Sequence, residues 1–137
     1  MKVDIWIVTR FFGKFSSGLG ECGILLETTV KDKPFRKIHC AGWREISYQG
    51  LQVRAMVEAM NRMTKPAEVT VHIDSLYAAY VAEHEAEIKA HAKQWKEYKS
   101  KAGKMNSCHV IREMSDTYRS AILKELNEHR FRIRKDG

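Results

Sequence analysis

The side chains best suited to chemistry lie where the predicted strands end. Asp74 directly follows residues 69–73, an apolar, β-branched run that predicts a strand covered on both faces. Arg10 follows a first strand predicted over residues 3–9, and Gln52 lies near the start of a helix. Because ligands of open α/β sheets bind outside the carboxyl ends of the strands, we expect Arg10, Gln52 and Asp74 to converge. Two-metal phosphodiester cleavage needs several carboxylates around ions about 4 Å apart, and this set supplies only one.

Strands and helices alternate along the part of the chain that must position these residues. Three strands, over residues 3–9, 22–30 and 35–43, predict an antiparallel meander. A helix is predicted to begin near Ser47, a good N-cap residue type. Its core-facing stripe consists of Val53, Met56, Val57 and Met60. The strand that follows implies a right-handed parallel crossover, which places it beside the first strand.

The second half of the chain predicts more helix and a closing strand. Residues 83–104 are helical in type and rich in charge, and residues 110–126 carry an amphipathic pattern. Residues 129–134 alternate basic and apolar side chains, which predicts a short final strand. The sequence contains no internal repeat and no linker-like segment, so we expect one domain over residues 1–137.

The order and spacing of these elements resemble ribonuclease H from about residue 3 to residue 134. The resemblance is carried by Gly20-Glu-Cys-Gly23, the helix at residues 52–60, Ile73-Asp-Ser-Leu-Tyr77 and the closing helix and strand. It implies an α/β, ribonuclease H-like fold with a mixed five-stranded sheet, ordered 3-2-1-4-5 and flanked by helices. Because the chain ends at Gly137, we expect it to lack the family's C-terminal helix.

The resemblance also implies which residues occupy the family's metal site. Asp74 matches a catalytic, metal-binding aspartate, whereas the strand-one aspartate falls at Arg10, or at Val8 with a shift of two residues. The first-helix glutamate falls at Gln52, and the last carboxylate would belong to the helix that we expect to be absent. One of the family's four carboxylates therefore remains, as in similar ribonuclease H-like proteins of Gram-positive mobile elements. Mg²⁺ or Mn²⁺ is expected only if activity remains.

Each of these positions also has a purely structural interpretation. Asp74 precedes a helix and is a residue type that caps helix N-termini. Gln52, taken alone, is better interpreted as an ordinary residue on a helix surface. The sequence leaves both interpretations open.

A basic helical face is the second candidate site. Lys89, Lys93 and Lys96 fall on one face of the predicted helix, Lys99 continues it, and Trp95 lies between them. The face resembles the basic protrusion with which some ribonucleases H grip a duplex. The whole chain has a net charge of +7. Together with this charge, the basic face predicts salt-dependent binding of a duplex or RNA/DNA hybrid. The alternatives are a solvated face offset by Glu85, Glu87 and Glu97, and a Trp95 that packs the helix down.

Other features concern location and partners. No apolar run approaches the roughly 20 residues of a membrane helix, and the N-terminus does not resemble a secretory signal, so we expect a cytoplasmic protein with no membrane partner. Without a last helix, the sheet face near residues 130–134 is expected to expose apolar surface. Such a surface predicts a homodimer or a protein partner.

These features favour a catalytically degenerate domain that binds nucleic acid through the lysine-rich helix. Two alternatives remain open at this point. The first is a metal-dependent nuclease with a rearranged site around Asp74. The second is a protein-interaction module in which the basic charge serves solubility.

Overall fold

A computed structural model of the chain describes residues 1–84 and 88–135. Within them, three strands precede the first helix: β1 (Lys2–Lys14), β2 (Ser17–Val30) and β3 (Lys33–Ile46). The elements that follow are α1 (Tyr48–Asn61), β4 (Glu68–Ile73), α2 (Leu76–Glu83), α3 (Ala92–Ala102), β5 (Ser107–Arg112), α4 (Asp116–Glu128) and β6 (Ile133–Lys135). None of the helices in these ranges is long and apolar enough to span a membrane.

The strands form one mixed sheet in the order β5-β4-β1-β2-β3-β6. The first three strands pair antiparallel, as the meander prediction requires, and β4 lies parallel to β1. Strand β5 lies parallel to β4 at one edge, and β6 lies parallel to β3 at the other. The first five strands therefore have the expected order 3-2-1-4-5, which confirms the predicted fold class.

The assignment of the fifth strand to residues 129–134 is wrong. Strand β5 is Ser107–Arg112, and its last three residues fall within the helix that the sequence predicts over residues 110–126. Only Val110 in this strand is fully buried, so its two-residue alternation is weak and pairing with β4 decides its conformation. Helix α4 consequently follows the fifth strand, and the end of the chain pairs with β3 instead.

Strand β1 separates two hydrophobic clusters because its side chains alternate between the sheet faces. Ile5 and Ile7 join the larger cluster beneath α1, in which the predicted helical stripe is buried. Trp6 and Val8 face the other way and pack against α4. Helix α4 covers the sheet at these residues, whereas Ile133 of β6 is 36% exposed, so the homodimer or protein partner expected near residues 130–134 stays a prediction.

A buried carboxylate joins α1 to β3 and β6. Glu58 is only 4% exposed, and its carboxylate accepts hydrogen bonds from Arg134 at 3.0 and 3.3 Å. The Nε2 atom of His39 lies 3.1 Å from the same carboxylate. Burial alone would raise the pKa of Glu58, but the contacts with Arg134 and His39 outweigh it and lower this pKa below its ordinary value. The C-terminal strand is thus held by an ion pair as well as by its sheet bonds.

Removal of Arg134 is expected to destabilise the fold because it leaves the buried Glu58 carboxylate without its cation. Arg134→Met should lower the free energy of unfolding by about 1–3 kcal/mol, measured by urea denaturation at pH 7. Arg132→Met, two residues away and exposed, is the matched control and should change it by less than about 0.5 kcal/mol. Equal effects of the two substitutions would contradict this account of the ion pair.

The contribution of Glu58 should depend on pH in a defined direction. Because its pKa is lowered in the folded state, the stabilisation is present above the ordinary carboxyl pKa of 4.5 and is lost as the pH falls through the lower folded value. The difference in unfolding free energy between the wild type and Glu58→Gln should therefore be largest near pH 7 and shrink below about pH 4. A difference that grows on acidification would show that the carboxylate is not held by a cation.

Candidate functional site: a polar pocket beside β1 at the carboxyl end of β4

A polar pocket lies beside residues 7–9 of β1, where the parallel strand β4 ends, between the start of α1 and the first turns of α4. It is lined by Ile7, Val8, Thr9, Tyr48, Gln52, Ile73, Asp74, Ser75 and Arg119. Its position agrees with the rule that ligands of open α/β sheets bind outside the carboxyl ends of strands. Gln52 and Asp74 line this pocket together, as the sequence predicted.

Gln52 and Thr9 form one wall of the pocket. The Gln52 side chain is 2% exposed, and its Nε2 atom donates a hydrogen bond to Thr9 Oγ1 at 3.1 Å. Gln52 occupies this position because Ser47 caps α1, accepting a hydrogen bond from Gly50 N at 2.9 Å, and the first turn then packs against the sheet. The interpretation of Gln52 as an ordinary helix-surface residue is therefore wrong.

The opposite wall is an ion pair between Asp74 and Arg119. Arg119 Nη2 lies 2.9 Å from Asp74 Oδ2, and the two side chains are 39% and 60% exposed. Arg112, at the end of β5, donates from Nε to the backbone oxygen of Asp74 at 3.3 Å. Arg119 thus pairs with the Asp74 carboxylate inside the pocket, whereas Arg112 does not line the pocket and contacts only the backbone of Asp74.

Ser75 rather than Asp74 caps the following helix. Its Oγ atom accepts a hydrogen bond from Ala78 N at 3.1 Å at the start of α2. The interpretation of Asp74 as the side-chain N-cap is therefore wrong, and the Asp74 carboxylate remains available to Arg119 and to the pocket.

Arg10 does not lie in the pocket, and the expectation that placed it there is wrong. Its Nε and Nη2 atoms donate to Glu21 at 3.1 and 2.9 Å, and its Nη1 atom donates to Asn127 of α4. Successive side chains of a strand point to opposite faces, so Thr9 faces the pocket and Arg10 faces away. The alternation of Ile5 and Ile7 on the pocket side could have identified Thr9 from the sequence.

Arg119 is a site residue that the sequence analysis missed. Its position depends on α4, whose first turn is fixed by Tyr118: this ring stacks on Trp6 at 4.3 Å, and its hydroxyl donates to Glu27 at 2.6 Å. Trp6 stacks in turn on His72 at 3.7 Å. No local sequence pattern near Arg119 indicates these contacts between distant parts of the chain.

The pocket does not fit the pair of divalent ions that cleave phosphodiesters. Such ions need several converging carboxylates, and this pocket offers one carboxylate, one amide and the hydroxyls of Thr9, Tyr48 and Ser75. The carboxylate is already paired with a guanidinium cation. In residues 1–84 and 88–135, no group of three or more His, Cys, Asp or Glu side chains is arranged to hold a metal ion.

The predicted basic face is only partly present. Lys93 and Lys96 are exposed on α3, whereas Lys89 is exposed but precedes the helix, which begins at Ala92. Lys99 donates from Nζ to the backbone oxygen of His84 at 3.0 Å, so it is tied to the protein. Of the acidic residues weighed against this face, Glu85 and Glu87 lie outside the described residues, and Glu97 is exposed on α3.

Trp95 cannot serve as a surface contact for nucleic acid. Its side chain is 0% exposed, and its Nε1 atom donates to the hydroxyl of Tyr77 at 2.9 Å. The indole packs α3 against α2 and belongs to the larger hydrophobic cluster. The prediction of Trp95 as a binding residue is therefore wrong, because its apolar ring is worth more in the core than on the surface.

The segment that carries Lys89 and Lys93 approaches the start of α1. His91, between them, is so close to this helix that a Cβ atom built on Gly50 would lie 3.2 Å from its ring. Gly50 is only two residues before Gln52 of the pocket.

Comparisons with known proteins identify the fold. The model superposes on the N-terminal ribonuclease H domain of a Mycobacterium tuberculosis protein, solved as a fusion with maltose binding protein, with a TM-score of 0.71 and 12% identity over 89% of this chain and 92% of that one. Ribonuclease H1 of the halophilic archaeon Halobacterium salinarum gives 0.70 and 9%, over 94% and 100%. LC11-ribonuclease H1, solved in complex with an RNA/DNA hybrid, gives 0.66 and 13%, over 90% and 99%.

The protein therefore has a ribonuclease H-like fold. No protein-family model matches its sequence. No curated protein matches it either. At identities of 9–13% the shared fold does not by itself transfer an activity, so the chemistry has to be argued from the pocket.

Carboxylates placed at three pocket positions should create the metal site that the wild type lacks. Thr9→Asp, Gln52→Glu and Arg119→Asp together with the native Asp74 would surround the pocket with four acidic groups. Mn²⁺ at about 100 times its dissociation constant should then stabilise the triple variant by about 2.7 kcal/mol, measured as a rise in melting temperature. The wild type should show no comparable rise. Adding Asp74→Asn should reduce the effect, and a triple variant unaffected by Mn²⁺ would show that the four positions do not converge.

Proposed function

We propose that this protein is a catalytically degenerate ribonuclease H-like domain that binds nucleic acid, a duplex or RNA/DNA hybrid, without cleaving it. The observation that carries the proposal is the ion pair between Asp74 and Arg119. It places a fixed cation beside the only carboxylate that lines the pocket in the described residues. A cytoplasmic setting and an origin in a mobile element, both expected from the sequence, form part of the proposal.

The absence of cleavage follows from electrostatics. A guanidinium group within about 4 Å repels a divalent cation by several kcal/mol at an effective dielectric constant of about 20. Two-metal cleavage requires the ions to polarise the phosphate and activate the attacking water, and a single paired carboxylate cannot hold them. The ribonuclease H-like frame is retained while the charge at its centre has changed sign.

Binding is supported by the charge of the chain and the placement of exposed lysines. The net charge of +7 favours a polyanionic partner, and Lys89, Lys93 and Lys96 are solvent-exposed. LC11-ribonuclease H1, which has the same fold, was solved with an RNA/DNA hybrid. Lysines that contact successive phosphates give affinity that does not depend on base sequence. Lys99 and Trp95 are left out of the proposed surface because both are engaged within the protein.

Charge reversal of the exposed lysines should abolish most of the binding. Lys89→Glu, Lys93→Glu and Lys96→Glu together should weaken the affinity for an RNA/DNA hybrid at least about 100-fold and reduce the slope of log K against log salt by about three. Fluorescence anisotropy across a salt series measures both quantities. The matched control is Lys31→Glu, Lys33→Glu and Lys37→Glu, which changes the net charge equally at the opposite end of the sheet. Equal losses in both triple variants would contradict the assignment of the face.

Cleavage is the test that separates this proposal from its enzymatic alternative. A labelled RNA/DNA hybrid incubated with the wild type and Mg²⁺ or Mn²⁺ should remain intact. Cleavage by the wild type that disappears in Asp74→Asn would overturn the proposal and establish a metal-dependent nuclease around Asp74. A partner captured as protein, with binding that persists at high salt, would instead favour the protein-interaction alternative.

A further inference from the structure

We propose that the pocket binds one backbone phosphate of the nucleic acid directly, with the Arg119 guanidinium as its anchor in place of a metal ion. The inference rests on the proposed function, since it names the part of the ligand that this pocket takes. The Arg119 guanidinium, which keeps divalent ions out of the pocket, is itself a group that binds phosphate.

Arg119 has donors left for a ligand. Its ion pair with Asp74 occupies Nη2, whereas Nε and Nη1 make no hydrogen bond within residues 1–84 and 88–135. A guanidinium group presents its N–H groups in a planar fork that matches the spacing of phosphate oxygens. At 39% side-chain exposure, the fork is accessible from the pocket while its position is fixed by Asp74.

Arg112 adds a positive charge next to the pocket, although it does not line it. Its Nε atom lies 3.3 Å from the backbone oxygen of Asp74. The Asp74 carboxylate offsets the charge of Arg119, and the neighbouring Arg112 guanidinium supplies a further positive charge that attracts a phosphodiester. A site built to hold a metal would have the opposite sign.

A neutral donor completes the pocket on the side of β1 and α1. The Gln52 amide uses one N–H for Thr9, at 3.1 Å, and has a second N–H that can donate to a ligand. Because Gln52 is only 2% exposed, its amide is held in one position by the surrounding side chains. The Thr9 hydroxyl lines the same pocket, but it donates its own proton to Gln52 Oε1 at 3.4 Å and so serves to hold the amide in place.

Tyr48 indicates that the phosphate belongs to a nucleotide. Its ring is 43% exposed and lines the pocket, next to the donors for the phosphate. Edge-on contacts with Phe11 and Phe15, at centroid distances of 5.7 and 5.2 Å, support the ring. An exposed, supported ring beside a phosphate site can stack on a sugar or a base of the bound strand.

The first measurement is the affinity of the whole chain for a fluorescent RNA/DNA hybrid in EDTA at constant ionic strength. The wild type should bind as tightly in EDTA as in Mg²⁺, because no metal is needed. Arg119→Met should lose about tenfold in affinity, the loss expected for a charged hydrogen bond. Arg62→Met removes the same charge at the far end of α1, about 15 Å of helix from Gln52, and should bind like the wild type. Arg119→Lys keeps the charge without the fork and should fall between them.

The direction in which Asp74→Asn changes the affinity separates a phosphate site from a metal site. The substitution frees Arg119 from its competing carboxylate, so the affinity in EDTA should rise by at least about threefold. A metal site would respond in the opposite way, with binding that requires Mg²⁺ and weakens on this substitution. Weaker binding by Asp74→Asn, or equal affinities of Arg119→Met and Arg62→Met, would overturn the proposal. Unchanged melting temperatures would show that the variants are folded.

Failure of the proposed function is distinguishable from failure of this inference. If the wild type does not bind the hybrid, the proposed function fails, and inorganic phosphate titrated into isotope-labelled protein then tests the pocket alone. A saturable shift of the Arg119 Nε–H resonance, absent in Arg119→Met, would support the phosphate site. An unmoved resonance would overturn it. Loss of binding on lysine reversal together with an inert Arg119 would leave the proposed function standing without this pocket.

Discussion

The structure depends on one constraint: β1 is buried on both faces, so every side chain along it has an assigned direction. Ile5 and Ile7 must face the cluster under α1, and Trp6 must face α4. The same alternation continues just past the buried part of the strand, where burial no longer demands it. There it sends Thr9 into the pocket and Arg10 away from it. The chemistry at the edge of the sheet is thus set by a packing rule in its centre.

Helix α4 connects the hydrophobic core to the charge of the pocket. Trp6 lies between His72 and Tyr118, with nearly parallel rings at 3.7 and 4.3 Å, and this stack fixes the first turns of α4. Arg119 is the next residue after Tyr118 and therefore points to Asp74 only because the aromatic stack holds. A buried, sequence-distant contact decides whether the lone carboxylate of the pocket is free or paired. The charge of the pocket is therefore tied to the packing of the sheet against α4.

The fold and the pocket differ in how many residues define them. Solved ribonuclease H structures share the fold with this chain at 9–13% identity, because layered burial can be achieved by many apolar side chains. The pocket depends on a handful of polar groups, and each has a distinct charge and reach. Thr9, Gln52 and Arg119 line the pocket beside Asp74, so the charge that the pocket offers to a ligand depends on these few side chains.

The sequence by itself determined the meander, the helix from Ser47, the parallel crossover and the positions of Gln52 and Asp74, because local periodicity and capping specify each of them. Only the tertiary structure decided the rest. Strand β5 exists because β4 offers it backbone partners, and Trp95 is buried because α2 and α3 meet over it. Arg119 reaches Asp74, 45 residues away, through the packing of α4. Contacts between distant segments leave no local pattern, so a single sequence could not reveal them.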